Sequence, residues 1–196
     1  MICGEVNKKR GVSMAFGFRY NSTTCLACYA CQVACQESHG LGEGEYFRRV
    51  ELREVVKDGR RISIPYSGAC NHCKNPYCVK ACPTGAMHQT EEGFVLHDDG
   101  LCIGCGACVW NCPYGAVSFS ERRGVTQKCD GCVERQEQGL PPVCVEACPT
   151  RSLRWGDLDY FQRTDGAEMP ALSFLPAPTL TEPKTRVVCK KKEEET

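Results

Sequence analysis

Apolar and polar positions alternate most clearly from Phe47 to Val56 and again from Ile62 to Tyr66, with Asp58-Gly59 between the two runs. That period is the period of a strand, and Asp-Gly favours a two-residue turn, so the stretch is expected to form a β-hairpin. Four shorter apolar runs, Ala86–Gln89, Phe94–His97, Ala116–Phe119 and Ser152–Trp155, read as short strands. Three of these strands follow a repeated tail: Cys82-Pro-Thr-Gly-Ala-Met, Cys112-Pro-Tyr-Gly-Ala-Val and Cys148-Pro-Thr-Arg-Ser-Leu. Each tail reads as a helix ending near the proline, then a tight turn, then the strand. Gly85 and Gly115 suit such a turn, whereas Arg151 stands at that place in the last copy. A short helix is expected from Cys132 to about Gln138, stopping at Gly139 before Pro141-Pro142. From Asp165 the chain changes character. Pro170, Pro176, Pro178 and Pro183 exclude regular helix, and the run from Lys190 to Glu195 reads as a solvated charged tail.

Composition changes this picture in one respect. Cysteine supplies 18 of 196 residues, about 9%, a level that marks a cysteine-built scaffold. The apolar fraction of 42% includes those cysteines, and aromatics are only 8%. The remaining core formers are few for offsetting chain entropy, so a group bound to the cysteines is expected to contribute to folding. Lys+Arg and Asp+Glu are 24 each, a net charge of zero, which argues against electrostatic nucleic-acid binding. No run of 18 apolar residues is present, so no membrane-spanning helix is expected. Lys8, Lys9 and Arg10 are followed by no apolar segment, so the first twenty residues do not read as a secretory signal. A disulfide-rich secreted protein is thereby disfavoured.

Sixteen cysteines fall into four groups: Cys25, Cys28, Cys31, Cys35; Cys70, Cys73, Cys78, Cys82; Cys102, Cys105, Cys108, Cys112; and Cys129, Cys132, Cys144, Cys148. Cys3 and Cys189 stand apart and read as ordinary free thiols. Three thiolates spaced two residues apart can wrap three corners of one small cube. The fourth, three residues on and often before proline, points elsewhere; in two-cluster ferredoxins it ligates the neighbouring cluster. Soft thiolates at these spacings suit iron–sulfur clusters. Zinc sites instead use two C-x2-C pairs with a longer spacer, and a fourth cysteine in the same loop has no use there. Groups two and three are close enough for residues 66–120 to form a two-cluster ferredoxin unit alone. Groups one and four can form a second unit only if the first is inserted between them, which brings their ends together. The expected fold class is therefore α+β, with two nested ferredoxin-like modules. The expected boundaries are an extension at 1–14, an outer module at 15–46 and 121–164, a hairpin insertion at 47–65, an inner module at 66–120, and an extended Pro-rich arm with its charged tail at 165–196.

The ordered motifs resemble the four-cluster electron-transfer (B-type) subunits of the dimethyl sulfoxide reductase superfamily of molybdopterin oxidoreductases. The matching residues run from Cys25-x2-Cys-x2-Cys-x3-Cys and Cys70-Asn-His-Cys-x2-Pro-x-Cys-x3-Cys-Pro to Cys102-Ile-Gly-Cys-x2-Cys-x3-Cys-Pro-Tyr-Gly-Ala, then Lys128-Cys-Asp-Gly-Cys and Pro142-x-Cys-x3-Cys-Pro. They span nearly the whole chain, from about Ala15 to Val188. The resemblance implies four [4Fe–4S] clusters. Cys25, Cys28, Cys31 and Cys148 would hold cluster a, and Cys129, Cys132, Cys144 and Cys35 cluster b. Cys70, Cys73, Cys78 and Cys112 would hold cluster c, and Cys102, Cys105, Cys108 and Cys82 cluster d. Some members replace one group-three cysteine with tryptophan; here Cys105 occupies that place, and Trp110 is expected to be packing. His72, between two ligands, is expected not to be one. Four such clusters add a charge of about −8, which the nominally neutral chain must accommodate. Lys74, Lys80, Arg122, Arg123, Lys128, Arg135, Arg151 and Arg154 lie near ligands in sequence, most of them as ordinary surface charges. Cations close to a cluster raise its potential.

No phosphate loop, nucleophile elbow or zinc-protease motif occurs, so no catalytic residue is assigned. By resemblance, the chain relays single electrons between a molybdopterin (Mo or W) catalytic subunit and either a membrane anchor handling quinone or a soluble redox partner. A free polyferredoxin and a zinc-stabilised interaction module are the rival readings. The Pro-rich arm is read as lying on a partner, which favours the subunit. Assembly is expected in the reducing interior of a prokaryotic cell, followed by co-export with a partner or by retention in the cytoplasm.

Overall fold

The computed structural model of the chain describes residues 16–57, 59–167 and 172–188. The expected N-terminal extension, Asp58, Cys3, Cys189 and the charged tail lie outside the described residues. The described residues form an α+β arrangement of short sheets and short helices.

The strand β1 (Phe16–Asn21) has no counterpart in the sequence reading, yet it is central. It pairs antiparallel with β8 (Leu153–Asp157), from Phe16 opposite Asp157 to Tyr20 opposite Leu153. On its other edge it pairs parallel with β9 (Arg186–Val188). Central strands with both faces covered are buried on both sides, and this one is buried from Gly17 to Tyr20. Phe18 and Tyr20 enter a core with Val50, Leu153, Leu172, Val187 and cysteines of groups one, two and four. The opposite face meets helix α6 (Leu158–Asp165), where Arg19 pairs with Asp165 at 2.8 Å. Asp157 caps that helix by accepting from the Asp159 and Tyr160 N–H groups, and Gly166 ends it in the left-handed region.

The expected hairpin is present. β2 (Arg49–Lys57) and β3 (Arg60–Gly68) run in register from Arg49 opposite Gly68 to Lys57 opposite Arg60. Tyr20 Oη donates to the Pro65 carbonyl at 2.5 Å and ties the hairpin to the central sheet. The four expected short strands appear as β4 (Met87–Gln89), β5 (Val95–His97), β6 (Val117–Ser120) and β8; β4 pairs with β5, and β6 pairs with β7 (Val125–Lys128), a strand that the sequence reading did not anticipate. The helix expected after Cys132 is α4 (Val133–Glu137), while α1 (Ala30–Ser38) carries Cys31 and Cys35 and α2 (Tyr77–Lys80) carries Cys78. The repeated turn holds in all three copies: Gly85, Gly115 and Arg151 share positive φ, 75°, 59° and 55°. Arg151 accepts the strain of a left-handed backbone while its guanidinium donates to the Glu146 carbonyl at 3.0 Å, at the end of helix α5 (Val143–Glu146).

The described part of the Pro-rich segment runs through turns and a short 3-10 helix (Pro178–Leu180) to β9, and it lies on the chain's own body. Val187 is buried beside Tyr20, and Lys184, Thr181 and Glu182 hydrogen-bond the loop at 71–75. A single glycine admits this packing. A Cβ on Gly17 would stand 1.9 Å from the Lys184 carbonyl oxygen. Gly17→Ala is therefore expected to unseat the arm at a cost of about 1–3 kcal/mol. Faster hydrogen exchange at the Val187 amide and earlier proteolysis within 172–188 would report it; unchanged protection would show that the contact is unimportant.

Candidate functional site

The cysteine loops share a backbone signature that residue identity hides. The second residue after the first cysteine of each group is left-handed: Ala27 (φ 50°), His72 (43°), Gly104 (68°) and Gly131 (77°). This turn curls the loop so that successive thiols face inward. In two groups the glycine N–H also donates back to that first sulfur, from Gly104 to Cys102 and from Gly131 to Cys129, both at 3.4 Å. The last cysteines of three groups accept from the following turn: Met87 N–H to Cys82 (3.4 Å), Ala116 to Cys112 (3.4 Å) and Leu153 to Cys148 (3.5 Å). N–H donors favour the thiolate. Partial burial works against ionisation at Cys82, Cys102 and Cys148, yet these donors hold all three below the ordinary thiol value.

Cysteines from distant groups meet. One cavity is lined by Cys25, Cys28, Cys31 and Cys148 together with Tyr20, Leu26, Val50 and Leu153. A second is lined by Cys82, Cys102, Cys105 and Cys108 with Met87, His97 and Thr126. Other thiols lie deeper. Cys35, Cys129, Cys132 and Cys144 are all buried. Burial pushes Cys129 and Cys144 up, and Cys35 adds to the rise at both. Burial likewise pushes Cys73 and Cys78 up to about 12, and Cys70 and Cys112 add to it. Four thiolates crowded in a dry pocket are untenable unless a cationic core shares them. The donor set thus fits a thiolate-bound metal group.

The cations sort by depth. Lys74 pairs with Glu182, Arg122 with Glu45, Arg123 with Asp99, Arg135 with Glu146 and Arg154 with Asp165, all partly or largely exposed. Lys128 is 4% exposed; its ammonium donates to the Val95 carbonyl and, at 2.8 Å, to that of Cys129. Arg48, which the sequence reading passed over, is 2% exposed and stands among Cys31, Cys35, Cys129 and Cys144. Its signal was parity: Arg48 shares the strand face of Val50, a buried position.

Two histidines brace the deeper cysteines. His72 is buried, and its Nδ1 accepts from the Val95 N–H at 3.2 Å, so its Nε2, 4.0 Å from Cys129 Sγ, carries the proton. Burial, then Lys128, holds its pKa well below the usual value and keeps the ring neutral. His39 contacts Asp130 at 3.3 Å and lies 3.8 and 4.0 Å from the Cys35 and Cys132 sulfurs. Asp130, despite burial, is held at about 2, chiefly by its bond to His39. Trp110, expected to pack, is 87% exposed. It follows Cys108 by two residues on the helix α3 (Ala107–Asn111), and two residues turn about 200°, so it faces away from the cavity that Cys108 lines.

Residues 63–158 match a family described as a 4Fe-4S dicluster domain, which defines the class: a ferredoxin-like iron–sulfur protein. The protein is 38% identical over 176 residues to the B chain of the anaerobic dimethyl sulfoxide reductase of Escherichia coli (strain K12), covering 86% of its own length and 85% of that relative's. It is 36% identical over 145 residues to the thiosulfate reductase electron transfer subunit PhsB of Salmonella typhi, covering 71% and 74% respectively. It is 42% identical over 137 residues to the B subunit of the tetrathionate reductase of Archaeoglobus fulgidus, covering 68% and 64%. The chain belongs to the iron–sulfur B subunits of the dimethyl sulfoxide reductase family of molybdopterin oxidoreductases. It is an electron-transfer subunit of the kind found in reductase complexes, and it is not itself the catalytic one.

Proposed function

We propose that the sixteen grouped cysteines hold four [4Fe–4S] clusters in a line, a–b–c–d, within two nested ferredoxin-like modules. The outer module is 15–46 with 121–164 and the inner one 66–120; the hairpin 47–65 and the arm from 165 pack against them. Cys25, Cys28, Cys31 and Cys148 serve a; Cys129, Cys132, Cys144 and Cys35 serve b. Cys70, Cys73, Cys78 and Cys112 serve c; Cys102, Cys105, Cys108 and Cys82 serve d. Clusters of this kind supply one-electron redox at each site. The protein's part is to fix the spacing, exclude water and set the charge around each site. The observation that carries this reading is the cavity in which Cys148 joins three group-one thiols.

The two end sites carry an exposed ligand each, Cys28 and Cys105, whereas all four b ligands are buried. That gradient supports entry and exit at a and d, with b and c as interior relays. One end would meet a catalytic subunit carrying molybdenum or tungsten, the other a membrane anchor or a soluble redox partner. No described helix is long and apolar enough to cross a membrane. Assembly in the cytoplasm, with co-export or retention afterwards, completes the proposal.

Anaerobic purification from the native host tests it. The expected composition is about 16 iron and 16 acid-labile sulfide per chain, with a molybdopterin subunit co-purifying. Zinc in place of iron would overturn the cluster reading. A monodisperse, redox-active monomer would instead support a free polyferredoxin.

A further inference from the structure

We propose that Arg48 is the counter-cation shared by sites a and b, holding both more readily reducible than they would otherwise be. The inference rests on the ligand sets proposed above.

Among the described residues, three buried cations invite comparison. Arg19 has its carboxylate, Asp165, at 2.8 Å. Lys128 directs its ammonium at two carbonyls. Arg48 has neither arrangement. Its Nη1 donates to the Ser67 carbonyl at 3.1 Å and to Ser67 Oγ at 3.2 Å. Nε and Nη2 are buried and have no hydrogen-bond partner, and no carboxylate pairs with it among the described residues. One face of the guanidinium lies 4.7 Å over the Phe18 ring. A buried, unpaired charge is strongly disfavoured unless an opposite charge lies nearby.

The surroundings supply that charge from two directions. Ser67 Oγ, already bound to Arg48, lies 3.5 Å from Cys31 Sγ, a ligand of site a. Cys144, Cys129 and Cys35, ligands of site b, also act on the guanidinium. At Cys31 and Cys144, where burial opposes ionisation, Arg48 is the strongest opposing influence. None of the inner-module ligands is among its largest influences. Reduction adds one electron, delivered from a neighbouring site, and needs no proton here. A fixed positive charge between two sites therefore stabilises the reduced form of each. The hairpin gives this placement: Arg48 immediately precedes β2, and Ser67 lies near the end of β3.

The test is an EPR-monitored redox titration of the complete, cluster-loaded chain, comparing wild type with Arg48→Gln and Arg48→Lys. Sites a and b are assigned beforehand from Cys28→Ser and Cys144→Ser. Arg48→Gln is expected to lower the reduced:oxidised ratio of a and b at least tenfold at a fixed potential, which is 59 mV for a one-electron couple. Sites c and d should stay within threefold of wild type, and Arg48→Lys should restore a and b. If Arg48→Gln fails to load iron while Arg48→Lys loads fully, the requirement for positive charge stands on iron content alone. Unchanged potentials in loaded Arg48→Gln, an equal shift at all four sites, or failure of both variants to load would overturn the proposal. Failure of the ligand sets is a separate result, visible in the cysteine variants alone as loss of the wrong signals.

Discussion

Replacing Cys148 with serine is expected to remove the same paramagnetic centre as replacing Cys28, while replacing Cys144 removes a different one. Cys144 and Cys148 sit on and just after the short helix α5, one turn apart, and sequence proximity alone would assign them to one site. The fold separates them. Cys148 lines the cavity with Cys25, Cys28 and Cys31, and the Leu153 N–H steadies its sulfur. Cys144, 3% exposed, does not line that cavity and is acted on by Arg48, Cys35 and Cys132. Pairing by sequence group predicts that Cys144→Ser and Cys148→Ser silence one common signal. Exchange between groups predicts that they silence two. Low-temperature EPR of reduced protein distinguishes the two outcomes, and each variant that loses a cluster should lose about 4 of some 16 iron atoms. The effect is all-or-none at the affected site because a buried site with three thiolates and an unmatched hydroxyl has lost a quarter of its donor set.

How far the sequence reveals this arrangement depends on the range of the contacts. Local features were legible. The hairpin register follows from alternation and a two-residue turn, and the Pro-x-Gly turns recur where Gly85 and Gly115 mark them. Arg151 shows the limit of that kind of reading: the backbone conformation persists where the residue signalling it is gone. Ala27 and His72 make the same point at the loop turns, standing left-handed where Gly104 and Gly131 advertise the geometry. Strand β1 was not legible, because six residues with aromatic, polar and glycine positions carry no decisive period, and both its partners come from the far end of the chain. Arg48 was missed for a related reason. Scanning for cations near cysteines in sequence finds the ones near in sequence, and of the eight it found only Lys128 is buried. The prolines of the arm forbid regular helix but leave open what surface the chain lies on.

Ending the chain after Ala167 is expected to prevent stable cluster loading. The lost segment buries Leu172 and Val187 in the main core, each contributing about 1.5–3 kcal/mol. It also removes β9 from one edge of β1, leaving Arg19–Asn21 unpaired on that side while the β8 edge stays paired. Its backbone carbonyls at Thr181 and Glu182 accept from Asn75 and Lys74, and Lys184 N–H donates to Asn71, so it clamps the loop that carries Cys70, Cys73 and Cys78. Thr181 is itself buried, hydrogen-bonds Tyr114 at 3.4 Å and draws down the Cys73 thiol against burial. Each such bond contributes about 1 kcal/mol. Together with the apolar terms the loss is of the order of a small domain's whole stability, about 5–15 kcal/mol. Iron per chain after anaerobic reconstitution is the direct measure, with site c expected to empty first because its loop loses the clamp. Thr181→Val isolates the local part: full folding, weakened retention of iron at c, and little change at a. A truncated chain that binds its full complement and withstands denaturant like the intact one would show that the segment merely rests on the body and that the cysteine loops stand without it.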